Sequence, residues 1–313
     1  MAKYIVKRVL VFFLTILFIS VITFLLMNAV PGGPFLSEKA PSPQVLEQLE
    51  IKYGLDKPLG VQLINYLRYA VQGDFGVSYR MQKNRPVIDI ILDMFPVSAQ
   101  IGFYAILAAV ILGIPMGCFA AYRQGKTTDS VLRVVNTLGI AVPGFVLATL
   151  LLVFFGVILN ILPTAGLSSW KHYLMPVFSL SFYPMSYIAR LTRSSMLDVI
   201  NQEYIRTAIA KGVSPIPLIF KHTLRNAVIP VITYLGPLTA YILTGGFVVE
   251  TVFSIPGLGR YFVQSILSRD YPIIMGTTIF LAALIIFMNL IVDVAYKIVD
   301  PRIQFGREGL DKT

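Results

Sequence analysis

Long apolar windows, separated by shorter polar stretches, run through most of the chain. Six of these windows, or their central parts, are free of charged residues and long enough to cross the hydrocarbon core of a bilayer, which takes about 20 helical residues. They cover residues 9–30, 97–122, 134–170, 172–189, 226–249 and 271–292. This pattern predicts an all-α polytopic membrane protein with six transmembrane helices.

Composition supports a membrane protein. Of the 313 residues, 56% are hydrophobic and 13% are charged, and the mean hydropathy is +0.74. Soluble domains usually carry about 25% charged residues, so a water-soluble fold is excluded. The single cysteine, Cys118, lies inside an apolar window, which excludes a disulfide framework within the chain and a cysteine-based metal site. We interpret Cys118 as a small core residue.

The net charge of +10 does not require a nucleic-acid partner, because the excess basic residues flank apolar windows, as they do in membrane proteins whose basic loops stay in the cytoplasm. Residues 31–97 hold equal numbers of basic and acidic side chains. The excess flanks the apolar windows, at Lys3, Lys7 and Arg8, at Arg123, Lys126 and Arg133, in the block 190–225, and at Lys297, Arg302, Arg307 and Lys312. Basic flanks stay in the cytoplasm, so we expect both termini there.

The windows divide the chain into four parts. Residues 1–30 are predicted to be an uncleaved membrane anchor, since their apolar run exceeds the roughly 7–15 residues of a signal peptide. Residues 31–96 form an extracytoplasmic helical segment, 97–300 a five-helix core, and 301–313 a cytoplasmic tail. Within the external segment, Ser42-Pro43 and Pro58 begin helices that end at Gly54 and Gly73, and residues 86–94 form a third short amphipathic piece that leads into the second window. This layer either shields the helix ends or docks a partner.

Glycine and proline interrupt several windows. Gly113, Pro115 and Gly117 form a small-xxx-small pattern suited to close helix contact. Pro143-Gly144 lies in the third window, and the fifth contains Pro230, Gly236-Pro237 and Gly245-Gly246. Such positions serve helix packing or gating, and sequence leaves both interpretations open.

Catalytic chemistry is not apparent. His172 and His222 have no carboxylate at catalytic spacing, and residues 120–127 resemble a phosphate-binding loop without its first glycine. We therefore predict that the chain is not an enzyme, and that another chain hydrolyses any ATP involved. Asp293 in the last window has Lys297 one turn later, which favours a structural ion pair over a functional carboxylate.

The most informative segment is the long cytoplasmic link between the fourth and fifth windows, residues 190–226. Its central part, 199–225, is predicted to form two short helices, one ending at Gly212 and one starting at Ser214-Pro215. Periodicity alone fits two alternatives equally. The link is either a rigid projection that receives force from a soluble partner, or an interfacial helix lying on anionic lipid.

A family resemblance distinguishes these alternatives. Arg206-Thr207-Ala208 with Ala210-Lys211-Gly212, followed by His222, Arg225-Asn226-Ala227 and Pro230, resembles the coupling motif of bacterial ABC importer permeases in its dipeptide/oligopeptide form. The general form of the motif begins with Glu-Ala-Ala, and Arg206 stands in place of that glutamate. Ile209 stands where the dipeptide/oligopeptide branch often has a basic residue. Further matching motifs occur in the same order at 31–34, 53–58, 73–76, 250–253, 256–259, 269–271 and 300–302. Together they resemble the first of the two permeases of an oligopeptide system.

The resemblance implies a type I ABC importer permease in a bacterial inner membrane, surrounded by lipid. The implied partners are a second homologous permease, two cytoplasmic ABC ATPases that bind ATP and Mg, and an extracytoplasmic peptide-binding protein. No cofactor is expected on this chain. The implied ATPase-coupling residues are Glu203, Arg206, Thr207, Ala208, Ala210, Lys211, Gly212 and Ser214. The alternatives are the same architecture importing nickel, haem or another small solute, and an ion-coupled secondary transporter.

Overall fold

The protein is seen in a computed structural model that describes residues 2–31, 33–35, 42–243 and 246–299. This described part is helical apart from its loops and one isolated antiparallel bridge between Val77 and Pro86. The α-helices in chain order are α1 (Ala2–Ala29), α2 (Pro43–Tyr53), α3 (Leu59–Ala70), α4 (Val87–Tyr122), α5 (Thr127–Ala141), α6 (Gly144–Leu151), α7 (Lys171–Ile200), α8 (Glu203–Ala210), α9 (Pro215–Pro217), α10 (Leu224–Ala227), α11 (Ile229–Leu243), α12 (Phe247–Val252), α13 (Leu258–Ser268) and α14 (Tyr271–Val299). Leu152–Ile158 and Leu218–Thr223 are π-helical.

The helices group into two compact units. The first comprises Met1–Gln100, Ala165–Leu167 and Thr244–Leu284, and the second comprises Ile101–Thr164, Ser168–Leu243 and Ile285–Thr313. Helices α4 and α14 contribute residues to both units. Each unit has its own apolar clusters.

The first unit packs α1 and α3 against the beginning of α14. Phe24 and Met27 of α1 share a buried cluster with Met275 of α14. The Tyr271 hydroxyl donates a hydrogen bond of 3.0 Å to the carbonyl of Met27. A second cluster joins the first turns of α4 to α13 and α14 through Val87, Ile90, Ile91, Leu258, Ile273 and Leu281.

The helix boundaries of the external segment follow its capping residues. Ser42 precedes α2, which has proline at its first position and ends at Gly54 with φ +68°, as predicted. Pro58 precedes α3, as predicted, and the turns after it contain Gly73. The amphipathic piece expected at residues 86–94, leading into the second window, is continuous with that window, because α4 begins at Val87 and runs to Tyr122; Pro86 lies in the isolated bridge. Buried packing of Val87, Ile90 and Ile91 in the first unit stabilises α4 through this region.

A buried carboxylate ties the loop before α4 to the start of α14. Asp270 is fully buried and accepts a hydrogen bond of 2.6 Å from the Ser78 hydroxyl. The amides of Tyr79, Arg80 and Met81 donate to the same carboxylate at 3.1, 2.9 and 2.9 Å. Four donors on one carboxylate make this loop rigid.

The second unit is arranged around α7, which packs against α5, α6, α10 and α11. Helices α5 and α6 meet at Pro143 with an angle of 103° between them. A bend there is expected, since proline removes a backbone donor and disfavours helix at the residue before it.

Helix length and hydropathy identify four helices able to cross a membrane among the described residues, at Leu10–Ala29, Val87–Tyr122, Ile229–Val252 and Tyr271–Ile291. The bent pair of Thr127–Ala141 and Gly144–Ile158 makes a fifth if it is one span. The predicted window 172–189 lies in α7, which is not among these helices. Its two prolines and its serine and tyrosine residues reduce its hydropathy.

Candidate functional site

The segment from α8 to α10, residues 203–227, is called the coupling segment here. Two residues separate its start from the end of α7. Ile205 and Ala208, three residues apart on α8, are buried, because positions at this spacing share one helix face. Arg206, Ile209 and Ala210 remain exposed on the other faces. Helix α8 is thus seated by one apolar face and presents the rest of its surface outward.

A Schellman motif ends α8. The amide of Gly212 donates to the carbonyl of Ile209 at 2.9 Å, and the amide of Val213 donates to that of Ala208 at 3.2 Å. Gly212 adopts φ +79°, a left-handed conformation that favours glycine. A Cβ at this position would have no neighbour within 4 Å. Glycine is therefore favoured here by the backbone conformation, and not by steric crowding within this chain.

The next helical run starts at Ser214-Pro215, as predicted, and continues through the π-helical turn into α10. Tyr204 joins the two helical parts of the segment. Its hydroxyl accepts a hydrogen bond of 2.7 Å from the Asn226 side chain and donates one of 3.4 Å to the carbonyl of His222. These bonds brace α8 against the returning chain.

Below the coupling segment lies an apolar core in the second unit. Ile205 and Ile219 of the segment pack with Met196 and Val199 of α7. Cys118 and Ala121 of α4 and Ala227 of α10 complete the cluster. Cys118 is buried, as expected of a small core residue. The coupling segment is therefore packed directly on the ends of α4 and α7.

The exposed surface of the coupling segment is basic with apolar ends. Arg206, Lys211, Lys221 and Arg225 are exposed, and Glu203 is the one acidic residue in the segment. None of these side chains forms a salt bridge to another described residue. Ile209 and Ile216 are 53% and 71% exposed on the two sides of the Gly212 turn. Sequence reasoning did not identify Tyr204 or Ile216, and it named Asn226 and Ile209 as motif positions without a contact or an exposure, because these depend on which helix face the fold covers.

The implied coupling residues all lie in or next to α8. Glu203, Arg206, Thr207, Ala210, Lys211, Gly212 and Ser214 are exposed, whereas Ala208 is buried. The Thr207 hydroxyl donates to the carbonyl of Glu203 at 3.1 Å. The structure thus brings these residues to one compact surface, with Ala208 facing the core beneath it.

A buried ion pair joins α5 to α7 in the second unit, and sequence reasoning missed it. Asp129, in the first turn of α5, is 1% exposed. The Arg193 guanidinium of α7 donates to both oxygens of this carboxylate, from Nε at 2.7 Å and from Nη2 at 2.8 Å. The amide of Gly125 donates a third hydrogen bond at 3.1 Å. The sequence feature that could have indicated this ion pair is an acidic residue in the first turn of a helix. Such residues are common on protein surfaces, so the feature does not predict burial.

The glycines of α4 allow a close approach to α7. A Cβ on Gly113 would lie 2.7 Å from the carbonyl oxygen of Met185, and one on Gly117 would lie 2.5 Å from that of Ala189. Pro115, between the two glycines, lies within an uninterrupted α4.

The remaining residues singled out in the sequence lie elsewhere. Pro230 is in the first turn of α11, and Pro237 is inside that helix. The side chains of Asp293 and Lys297, the predicted ion pair, lie outside the described part of the structure.

Two family models match this sequence. One, described as a binding-protein-dependent transport system inner membrane component, matches residues 113–305. The other describes the amino-terminal part of such membrane components and matches residues 1–102. Together they account for nearly the whole chain.

Full-length relatives are also similar. The dipeptide transport system permease protein DppB of Bacillus subtilis is 48% identical over 309 residues, which cover 99% of this chain and 100% of the relative. The oligopeptide transport system permease protein OppB of Haemophilus influenzae is 41% identical, with coverage of 97% and 100%. Among solved structures, the MetNI methionine ABC transporter in an inward-facing conformation matches with a TM-score of 0.55 at 15% identity. That match covers 67% of this chain and 96% of the other, and it shows a shared fold.

Proposed function

Because this chain belongs to the family of binding-protein-dependent transport system inner membrane components, we propose that it forms half of the pathway of an ATP-driven importer of dipeptides or oligopeptides. The family consists of multi-pass proteins of the inner membrane, and the apolar helices of this chain agree with that location. Peptide is proposed as cargo because relatives that match the chain over its full length are named as dipeptide and oligopeptide permeases.

The observation that carries this proposal is the exposed, braced coupling segment. It is stiff because of the Schellman motif and the Tyr204 hydrogen bonds, and it is packed on the ends of α4 and α7. In the proposed mechanism its basic and apolar surface, around Arg206 and Gly212, docks in a groove of a cytoplasmic ATPase. Movement of the ATPase then reaches the membrane helices through the core around Ile205.

The complete transporter requires other chains. A second homologous permease supplies the other half of the pathway, and two ATPases bind ATP and Mg, hydrolyse the ATP and drive rigid-body alternation of access. An extracytoplasmic binding protein delivers peptide. No step of ATP hydrolysis is assigned to this chain.

The proposed membrane arrangement has six spans with α7 as the fourth and both termini in the cytoplasm. Basic residues flanking the apolar windows support this orientation. It places residues 31–96 outside as a helical layer, residues 97–300 in the core with the coupling helices inside, and residues 301–313 in the cytoplasm. Pro230 and Pro237 of α11 remain candidates for gating.

Substitution of Gly212 by Trp tests the coupling segment. The purified complex in proteoliposomes is assayed for uptake of a labelled peptide and for ATP hydrolysis. We expect uptake per ATP hydrolysed to fall at least about tenfold, since overpacking a fitted surface costs about 1–3 kcal/mol. Normal uptake by Gly212→Trp would show that the docking surface is misplaced.

Gly73 offers a matched control. It also has a positive φ (+82°) and no neighbour within 4 Å of an added Cβ, but it lies after α3, away from the coupling segment. Gly73→Trp therefore adds the same side chain and similar backbone strain, and coupling should stay near that of the unmodified complex. A second arm reconstitutes this chain without ATPases, where peptide uptake would contradict an ATP-driven importer.

A further inference from the structure

One face of α7 is polar although the helix lies in a membrane protein. Tyr183, Tyr187, Arg190, Ser194 and Asp198 follow one another at intervals of three or four residues, so they form one stripe along the helix. All are exposed except Tyr187, which is half-buried, and the Tyr183 side chain is 45% exposed. The stripe ends five residues before α8 begins.

The other faces of α7 are used for packing. Ile188 and Met196 are fully buried, and so are the small polar residues Ser186 and Thr192. Close approach of α4 through Gly117, and of α5 through Gly139, occupies these faces. Apart from residues near its amino-terminal end, among them the apolar Leu174 and Phe178, the polar stripe is the surface of α7 that the second unit leaves uncovered.

Helix α11 widens this surface. The ring of Tyr234 lies 4.4 Å from that of Tyr187, and the rings of Tyr183 and Tyr187 are stacked with centroids 6.4 Å apart. The Arg190 guanidinium lies 5.2 Å from the centroid of the Tyr187 ring. Three phenol rings and one cation thus form a continuous patch, called the tyrosine patch below. Arg190 forms no salt bridge with any described residue.

The chemistry of the tyrosine patch does not suit lipid. Phenol hydroxyls and a guanidinium are disfavoured in hydrocarbon, so such groups on a membrane helix face the lipid–water interface, a polar ligand or a water-filled cavity. A patch that runs over two turns of α7 and onto α11 favours a ligand or cavity over a single interfacial anchor. Helix α1 shows the contrasting pattern, with exposed Leu10, Leu14 and Phe18 at four-residue spacing. The polar stripe also explains why α7 is not apolar enough to count as a span by hydropathy.

We propose that the tyrosine patch, with Ser194 below it, is the wall of the pathway that contacts peptide during transport. This inference rests on the proposed function of the chain. Tyrosine suits this task because its ring packs on side chains of many shapes, while its hydroxyl bonds to backbone amides, which every peptide carries. Arg190 receives the carboxylate of the peptide terminus, because a guanidinium binds carboxylates in a bidentate manner.

Cysteine accessibility in the assembled complex tests the position of the patch. In a Cys118→Ala background, Tyr187→Cys and Ser194→Cys are treated with a charged, membrane-impermeant thiol reagent, with and without excess transported peptide. We expect labelling of both, slowed by peptide. Phe18→Cys, at a position 64% exposed on the apolar face of α1, is the control and should stay unlabelled.

Each other outcome overturns the inference. Absence of labelling in every nucleotide state means that another subunit or lipid covers the patch, and labelling that peptide does not slow means that peptide does not contact it. Uptake by the background complex is measured first, so the two proposals fail separately. If the background complex imports peptide but the cysteines are not protected, only the tyrosine patch is wrong. The complex with the unmodified chain is assayed beside it, and its failure to import any peptide contradicts the proposed function.

The role of Arg190 has its own readout. Arg190→Gln should lower uptake of a peptide with a free carboxyl terminus about tenfold or more, as loss of a charged hydrogen bond does, and Arg190→Lys should restore part of it. Uptake of the same peptide with an amidated terminus should fall less. An equal loss for both peptides would show that Arg190 only supports the structure.

Discussion

The ion pair of Asp129 and Arg193 allows a quantitative prediction about stability. Asp129 is 1% exposed, whereas Arg193 is 20% exposed. Arg193→Met therefore leaves a charged carboxylate buried, with the Gly125 amide and the more distant Arg133 as remaining partners; the Nε of Arg133 lies 3.7 Å away. Asp129→Asn, in contrast, leaves a guanidinium that already reaches water.

The two single substitutions should differ in size. Breaking a fully buried pair costs about 3–5 kcal/mol, and the partial exposure of Arg193 reduces this to about 2–4 kcal/mol for Arg193→Met. We expect about 1–2 kcal/mol for Asp129→Asn, because its amide retains hydrogen bonds and Arg193 can turn to solvent. The double variant Asp129→Asn/Arg193→Met should be more stable than the sum of the single losses predicts, since it buries no charge.

A double-mutant cycle on the purified chain measures this difference. Thermal unfolding in one detergent gives the four stabilities, with shifts of about 2–4 °C expected per kcal/mol for a protein of this size. The reasoning predicts a coupling energy of about 1–3 kcal/mol between the two positions. A coupling energy near zero, or a larger loss for Asp129→Asn than for Arg193→Met, would refute the interpretation that Asp129 is the buried, dependent partner.

Two further predictions concern close packing and the Asp270 anchor. Gly117→Ala should destabilise the chain by about 1–3 kcal/mol, because the added Cβ meets a backbone carbonyl of α7. Gly60→Ala, in open space on α3, is the control and should change stability by less than about 1 kcal/mol or increase it. Equal effects of the two substitutions in thermal unfolding would contradict the close contact. Asp270→Asn should lower the free energy of unfolding by about 2–4 kcal/mol, because the new amide nitrogen faces N–H and O–H donors that bind the carboxylate in the unmodified protein. Asp93→Asn, in an exposed ion pair with Arg85, should lower it by at most about 1 kcal/mol. Similar unfolding temperatures for these two variants would show that the Asp270 contacts do not stabilise the loop.

Much of the fold followed from local sequence signals. The ends of α2 at Ser42 and Gly54, and the end of α8 at Gly212, were predicted correctly because a cap depends on residues within one turn of it. The family resemblance, read from motifs in their order along the chain, is confirmed by the family models and by full-length relatives. The helical membrane class is confirmed, whereas the count of six spans stays a prediction, since four or five helices among the described residues qualify by length and composition.

Hydrophobic periodicity placed an amphipathic stretch before the second apolar window, and the structure joins residues 87–94 to that window in one helix, α4. A difficulty occurs in α7, whose polar residues reduce its hydropathy although much of the helix is buried. Window averages cannot separate a residue that faces neighbouring helices from one that faces lipid.

The sequence alone determined that this protein is a helical membrane protein, where several helices begin and end, and to which family it belongs. Tertiary structure alone decided which polar side chains meet. Asp129 and Arg193 are 64 residues apart in the chain, Ser78 and Asp270 are 192 apart, and Tyr187 meets Tyr234 from a different helix. Capping and periodicity are local and can be read within a few residues, but these contacts depend on how whole helices pack, and a single sequence does not record that packing.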